Sequence, residues 1–236
     1  PTYGVTPLSP SFDTVGFFGG RPRDAALIFE AAAPAHFPRG AGRCLAREFV
    51  VLDDPLIEDL SSAARTALDD TAARLGAMGG HVVRRSAPVS MDTVRAAQWT
   101  AFQFEVARVH RGLADSPRIG AKLRDLLHEA RDVDARAYRD AWQIIELARE
   151  AFAPLTQTGA VFIWPAAPAG APEGLGWTGD PRYIAPWTGL GHPLVTVPAG
   201  VDETGLPLGV LLVGHPGHDL DLARLCARLP DGPEVT

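Results

Sequence analysis

Apolar residues along this chain fall either into short continuous runs or into stretches at helical spacing, and the order of the two predicts the fold. Between Asp24 and Ala33, Ala26, Leu27, Phe29 and Ala32 suit a short helix stopped by Pro34 and Pro38, and a loop rich in Pro, Gly and Arg runs on to about Gly42. Glu48-Phe49-Val50-Val51-Leu52 is a brief apolar run ending in Asp53-Asp54-Pro55, which joins a capping residue to a proline suited to a first helical turn. Ile57, Leu60, Ala64, Ala67, Leu68 and Leu75 then recur at helical spacing until Gly79-Gly80, after which His81-Val82-Val83 reads as a strand. A strand-helix-strand unit of this length predicts parallel pairing and a right-handed crossover.

Helical spacing dominates from about Met91 to Phe152, and Tyr138, Ala141, Ile145, Ala148 and Phe152 form one stripe, as a helix lying on a sheet requires. Ala160-Val161-Phe162-Ile163-Trp164 is continuously apolar and stopped by Pro165, the pattern of a strand buried on both faces. A glycine and proline loop follows to about Asp180. Leu194 to Val197 and Leu208 to Val213 are then joined by a turn through Asp202, Glu203, Thr204 and Gly205, close enough to pair antiparallel. Asp219 is the expected cap of a closing helix that buries Leu220, Leu222, Ala223, Leu225 and Leu229. The sum is an α/β fold, a mixed, mainly parallel sheet covered by helices on both faces. No linker divides residues 1–236, so a single domain is expected.

Composition narrows the partners. The 46% hydrophobic and 21% charged content is ordinary for a globular chain, and the formal charge of −6 has no compensating basic stripe. Neither nucleic acid nor an anionic membrane is therefore an expected partner. The two cysteines, Cys44 and Cys226, stand far apart without metal-ligand spacing, and no cofactor motif is present, so neither a metal nor a cofactor is expected. No apolar run approaches the roughly 20 residues that span a bilayer, and no signal pattern opens the chain, which makes the cytoplasm the expected compartment.

Candidate chemistry is sparse. A serine nucleophile needs a base within reach and donors for the oxyanion, yet Ser9, Ser11, Ser61, Ser62, Ser86, Ser90 and Ser116 all lie outside any glycine-rich elbow. Lys122, the sole lysine, sits on the polar face of an apparent amphipathic helix. His192, between Gly191 and Pro193 just ahead of a strand, is the histidine best placed for a site, with a satisfied structural role as the alternative. His110 and His128 fall in helical patterns. His215-Pro216-Gly217-His218-Asp219 superficially suggests a metal site but reads more simply as a turn leading into a capped helix. Asp53-Asp54 and Asp69-Asp70 read as a cap and a solvated face. Trp164 and Trp187 fit either a pocket wall or core packing.

Taken together, Pro1-Thr2-Tyr3-Gly4, Ser11-Phe12-Asp13-Thr14-Val15-Gly16, Trp187-Thr188-Gly189-Leu190-Gly191-His192-Pro193-Leu194 and Gly205-Leu206-Pro207-Leu208-Gly209 resemble the amidase signature family. The chain departs from that pattern at Phe12, where a leucine is usual, and at Gly20, Gly159 and Ala166, where arginine, aspartate and threonine are common. The resemblance implies hydrolysis of carboxamide C–N bonds by a serine nucleophile, with a second serine and a lysine as its helpers. It also implies that these groups lie upstream of the proline-threonine-tyrosine-glycine stretch. On this reading the chain is a carboxy-terminal portion, incomplete without its amino-terminal part, with no catalytic residue of its own. Trp164, Trp187, Thr188 and His192 are the candidates for the pocket wall, and the partners expected are a small amide, the missing segment and other copies of the chain.

Overall fold

The computed structural model describes residues 2–33 and 48–229; the proline-rich loop after Ala33 and Cys44 lie outside the described residues. The elements are α1 (Pro22–Ala32), β1 (Glu48–Asp53), α2 (Ser62–Ala77), β2 (His81–Ser86), α3 (Met91–Val109), α4 (Ala121–Glu129), α5 (Ala135–Thr156), β3 (Val161–Pro165), α6 (Ala185–Leu190), β4 (Leu194–Val201), β5 (Pro207–Val213) and α7 (Asp219–Cys226). The strands form one sheet in the order β2-β1-β3-β5-β4. β1 pairs in parallel with β2 and β3, while β5 runs antiparallel to both β3 and β4. Four strands therefore point one way and β5 alone opposes them, the mixed, mainly parallel sheet expected.

Register decides which side chains share a face. Val50, Phe162 and Val213 align across β1, β3 and β5 on one face, and Val51, Ile163 and Leu212 on the other. All five residues of β3 are buried, because both faces are covered. α2 lies along the face of Val51 and Ile163, with α1 and α7 beside it near β4. The ring of Phe152 at the end of α5, together with α6, covers the face of Phe162 and Trp164.

Three local expectations need correction. The apolar spacing from Ile57 to Leu75 is two elements: Asp54 accepts the Leu56 N–H at 2.9 Å and caps a 3-10 turn (Pro55–Asp59), and Ser61 accepts the Ala64 N–H at 3.1 Å to begin α2 afresh. The stripe on α5 is buried from Ala141 to Phe152, yet Ala141 and Ile145 pack against Ala97 and Ala101 of α3, and only Ala148 and Phe152 reach the main core over the sheet. Asp219 is the first helical residue of α7, whose cap position is His218 without a side-chain cap bond, and Asp221 takes the bond to His218 Nδ1 at 3.1 Å. α1 forms as expected, and of its apolar positions Ala26, Leu27, Phe29 and Ala32 only Ala26 is buried.

The outer strands show what the sheet leaves open. β2 exposes His81, Arg84, Arg85 and Ser86, and Arg84 joins Asp53 and Asp69 in ion pairs on the α2 side. Among the described residues no helix is long and apolar enough to cross a membrane.

Candidate functional site

The polypeptide crosses one face of the sheet from the carboxyl ends of the parallel strands to their amino ends, and the candidate residues lie along that crossing. Trp164 near the end of β3 donates Nε1–H to the Tyr183 carbonyl at 2.9 Å, which fixes the short 3-10 turn (Pro181–Tyr183) ahead of α6. Trp187 on α6 then stacks on Phe162 at 5.3 Å and meets Phe152 and Trp164 edge-on at 5.7 and 6.0 Å. Two glycines make this placement possible. A Cβ on Gly189 would lie 3.2 Å from Gln98 Cβ, so glycine lets α6 approach α3 closely. Gly191, at φ +75°, ends α6 in the left-handed conformation and returns its N–H to the Trp187 carbonyl at 2.9 Å.

His192 follows from that turn. Its Nδ1 lies 2.7 Å from the Gly214 carbonyl, and because a carbonyl only accepts, Nδ1 carries the proton and the bond ties the start of β4 to the end of β5. Burial pushes its pKa down to about 4; the Gly214 bond opposes that shift, and the nearby charges of His215 and Arg149 reinforce it. The imidazole is thus neutral near pH 7, packed edge-on against Trp187 at 5.5 Å, and no described serine hydroxyl bonds to it. It lies at the amino ends of the parallel strands, opposite the carboxyl ends where ligands of open α/β sheets usually sit.

The structure brings Trp164, Trp187 and His192 into one buried aromatic cluster, while Thr188 is half-buried and bonds back to the Ile184 carbonyl at 3.3 Å. Sequence reasoning missed Tyr183, which is fully buried in the same cluster. Its hydroxyl and the Trp187 Nε1 are buried without a hydrogen-bond partner among the described residues. A shallow cleft lined by Thr71, Arg74, Leu75, Val197 and Pro198 lies on the opposite face of the sheet and contains none of these groups.

A second cluster was also illegible in the sequence. Glu105 on α3 accepts Ser9 Oγ at 2.8 Å, the Ser11 N–H at 3.0 Å, Ser11 Oγ at 2.5 Å and the Tyr138 hydroxyl at 2.9 Å. Burial pushes this carboxyl up, but the bonds from Ser11, Ser9 and Tyr138 together outweigh it and hold the group below its usual range. A carboxylate so held is a poor base for a serine hydroxyl.

The remaining serines and Lys122 add no nucleophile–base pair among the described residues: Ser61 caps α2, Ser116 accepts the Arg118 N–H, and Lys122 Nζ donates to the Gly176 carbonyl at 2.6 Å. The rings of His215 and His218 stand 4.9 Å apart, and no described group of three or more His, Cys, Asp or Glu side chains is placed to hold a metal ion.

This open, mostly parallel sheet with its covering helices is similar to solved amidase structures. A crystal structure of an amidase matches 96% of this chain and 56% of its own length, with a TM-score of 0.78 and 24% identity. In sequence, the chain is 37% identical over 95 residues to a glutamyl-tRNA(Gln) amidotransferase subunit from a Synechococcus strain, an alignment covering 37% of this chain and 19% of that protein. It is 30% identical over 140 residues to "Putative amidase AmiA2" of Mycobacterium tuberculosis, covering 56% of this chain and 28% of the relative. No family model matches the chain. The chain is related to the amidase signature family, and it spans less than a third of the length of each of these two curated relatives.

Proposed function

We propose that residues 1–236 form one domain, the carboxy-terminal portion of a cytoplasmic amidase signature hydrolase that cleaves carboxamide C–N bonds through a serine acyl-enzyme. The 30% identity over 140 residues to the mycobacterial AmiA2 protein, which is named for an amidase, carries this reading. In the reaction, a serine oxygen attacks the amide carbonyl, a second serine and a lysine pass its proton to the leaving amine, and water then releases the acid and restores the serine. Ser9 and Ser11 donate to Glu105, a carboxylate held below its usual range and so a poor base, while Ser61 and Ser116 accept backbone N–H groups, which supports placing that nucleophile on other polypeptide. This chain then contributes sheet, covering helices and pocket wall.

Trp164, Trp187, Thr188 and His192 are the wall residues in this proposal. The unpartnered Trp187 Nε1 supports it, since a buried donor is costly to leave unpaired and an amide carbonyl is a suitable acceptor. The expected outcome is that the purified chain releases no ammonia from a panel of aliphatic and aromatic primary amides. Turnover above the buffer rate that persists through repurification would contradict it. A second reading, a non-catalytic component of an assembly, is favoured by one observation, that a relative is named as one subunit of an amidotransferase. It predicts stable association with a separate chain and no amide turnover in the resulting complex.

A further inference from the structure

The segment before α1 meets the body at its Phe17 ring, 5.6 Å from Phe29 of α1, and through a turn at residues 8–13. Residues 2–18 contain neither helix nor strand, and only Ser9 and Phe12 among them are buried. Asp13 shapes the segment from within by accepting the Leu8 and Ser9 N–H groups at 2.8 and 3.1 Å, while the Phe12 and Asp13 N–H groups both return to the Ser9 carbonyl at 2.9 Å. It therefore meets α3 and α5 as a preformed turn. Two attachments hold that turn: the Phe12 ring stacked on Trp142 at 5.6 Å, and the Glu105 carboxylate with its bonds from Ser9 and Ser11.

α3 and α5 meet through contacts that do not involve Glu105. α3 and α5 pack through Ala97, Ala101, Ala141 and Ile145, a contact that the carboxylate supplements with one bond from Tyr138. Its other three bonds all go to the strap, from residues 94 and 96 positions away in sequence. Shape alone holds Phe12, whereas the carboxylate fixes both position and direction, because each of its oxygens receives donors from defined sides. We propose that Glu105 is a positioning residue that locks residues 8–13 onto the α3–α5 pair, and that losing it frees this strap locally without loosening the sheet. The inference does not rest on the amidase reading.

Site-resolved amide hydrogen exchange on the full chain tests it. In Glu105→Ala, the Phe12 and Asp13 amides are expected to exchange at least about tenfold faster, while Ala101, Ile145 and Phe162 stay within about twofold of the parent. The double variant Ser9→Ala/Ser11→Ala removes the two hydroxyl bonds, keeps the Ser11 N–H bond, the carboxylate and both helices, and is expected to speed exchange at the same two amides by at least about threefold, which keeps the test decisive should Glu105→Ala fail to fold. Unchanged exchange at Phe12 and Asp13 in a folded variant would overturn the proposal. So would equal acceleration at Ala101 and Ile145, since Glu105 would then be a general stabiliser of the helix pair.

Discussion

Two tryptophans in one aromatic cluster differ by a single hydrogen bond, and that difference is measurable. Trp164 Nε1 bonds to the Tyr183 carbonyl, whereas Trp187 Nε1 has no partner among the described residues. Replacing each by phenylalanine removes similar apolar area, but only Trp164→Phe also leaves a buried carbonyl unpaired. Trp164→Phe is therefore expected to cost about 1–3 kcal/mol more than Trp187→Phe in urea unfolding, and equal costs would show that Trp187 is equally well bonded. His192 makes a second residue-scale prediction. With its folded pKa lowered from 6.5 to about 4, the unfolded chain binds the proton first, so stability is complete above pH 6.5 and is lost as pH falls toward 4. The loss attributable to this ring is about 3 kcal/mol, and His192→Asn should remove that part of the pH dependence. An unaltered pH profile in the variant would refute it. Neither behaviour is legible in sequence: the Gly-His-Pro bend marks a turn, but the partner of His192 is Gly214, 22 residues away at the end of another strand.

At the scale of elements, every described strand was legible from a short apolar stretch, only Val82 and Val83 in β2, and chain order gave the β1–β2 and β4–β5 pairings but not those of β3 with β1 and β5. Boundaries failed where a short polar side chain offered the backbone an alternative partner. Ile57 and Leu60 keep helical spacing with α2, yet Ser61 interrupts the helix while both remain buried. The α5 stripe was visible, but periodicity says only that a face is buried and not whether sheet or helix buries it. Asp54 shows how much one such residue carries, since it accepts both the Leu56 N–H at 2.9 Å and the Met91 N–H at 3.0 Å. Asp54→Ala should destabilise by about 2 kcal/mol or more, against about 1 kcal/mol for Ser61→Ala, which loses a single cap. Comparable denaturant midpoints for the two variants would show that the Met91 bond contributes nothing.

For the whole molecule, the resemblance to amidases was legible because it is spread over segments from both ends of the chain, and the fold agrees with it over 96% of the residues. The Glu105 cluster and Tyr183 stayed hidden because their partners are distant in sequence or sit in loops with no period. The sheet ends in β2 and β4, each paired on one side only among the described residues, and large apolar side chains such as Tyr3, Phe18, Leu175 and Trp177 are exposed. Open edges and exposed apolar surface favour association, so sedimentation velocity is expected to find the isolated chain self-associated, and a single monomeric species would contradict this. In the proposed function this chain supplies scaffold and pocket wall, and the bond-cutting serine lies on other polypeptide. Intact mass spectrometry after exposure to a fluorophosphonate probe decides this: an unchanged mass is expected, and stoichiometric addition of the probe to any serine of this chain would overturn the proposal.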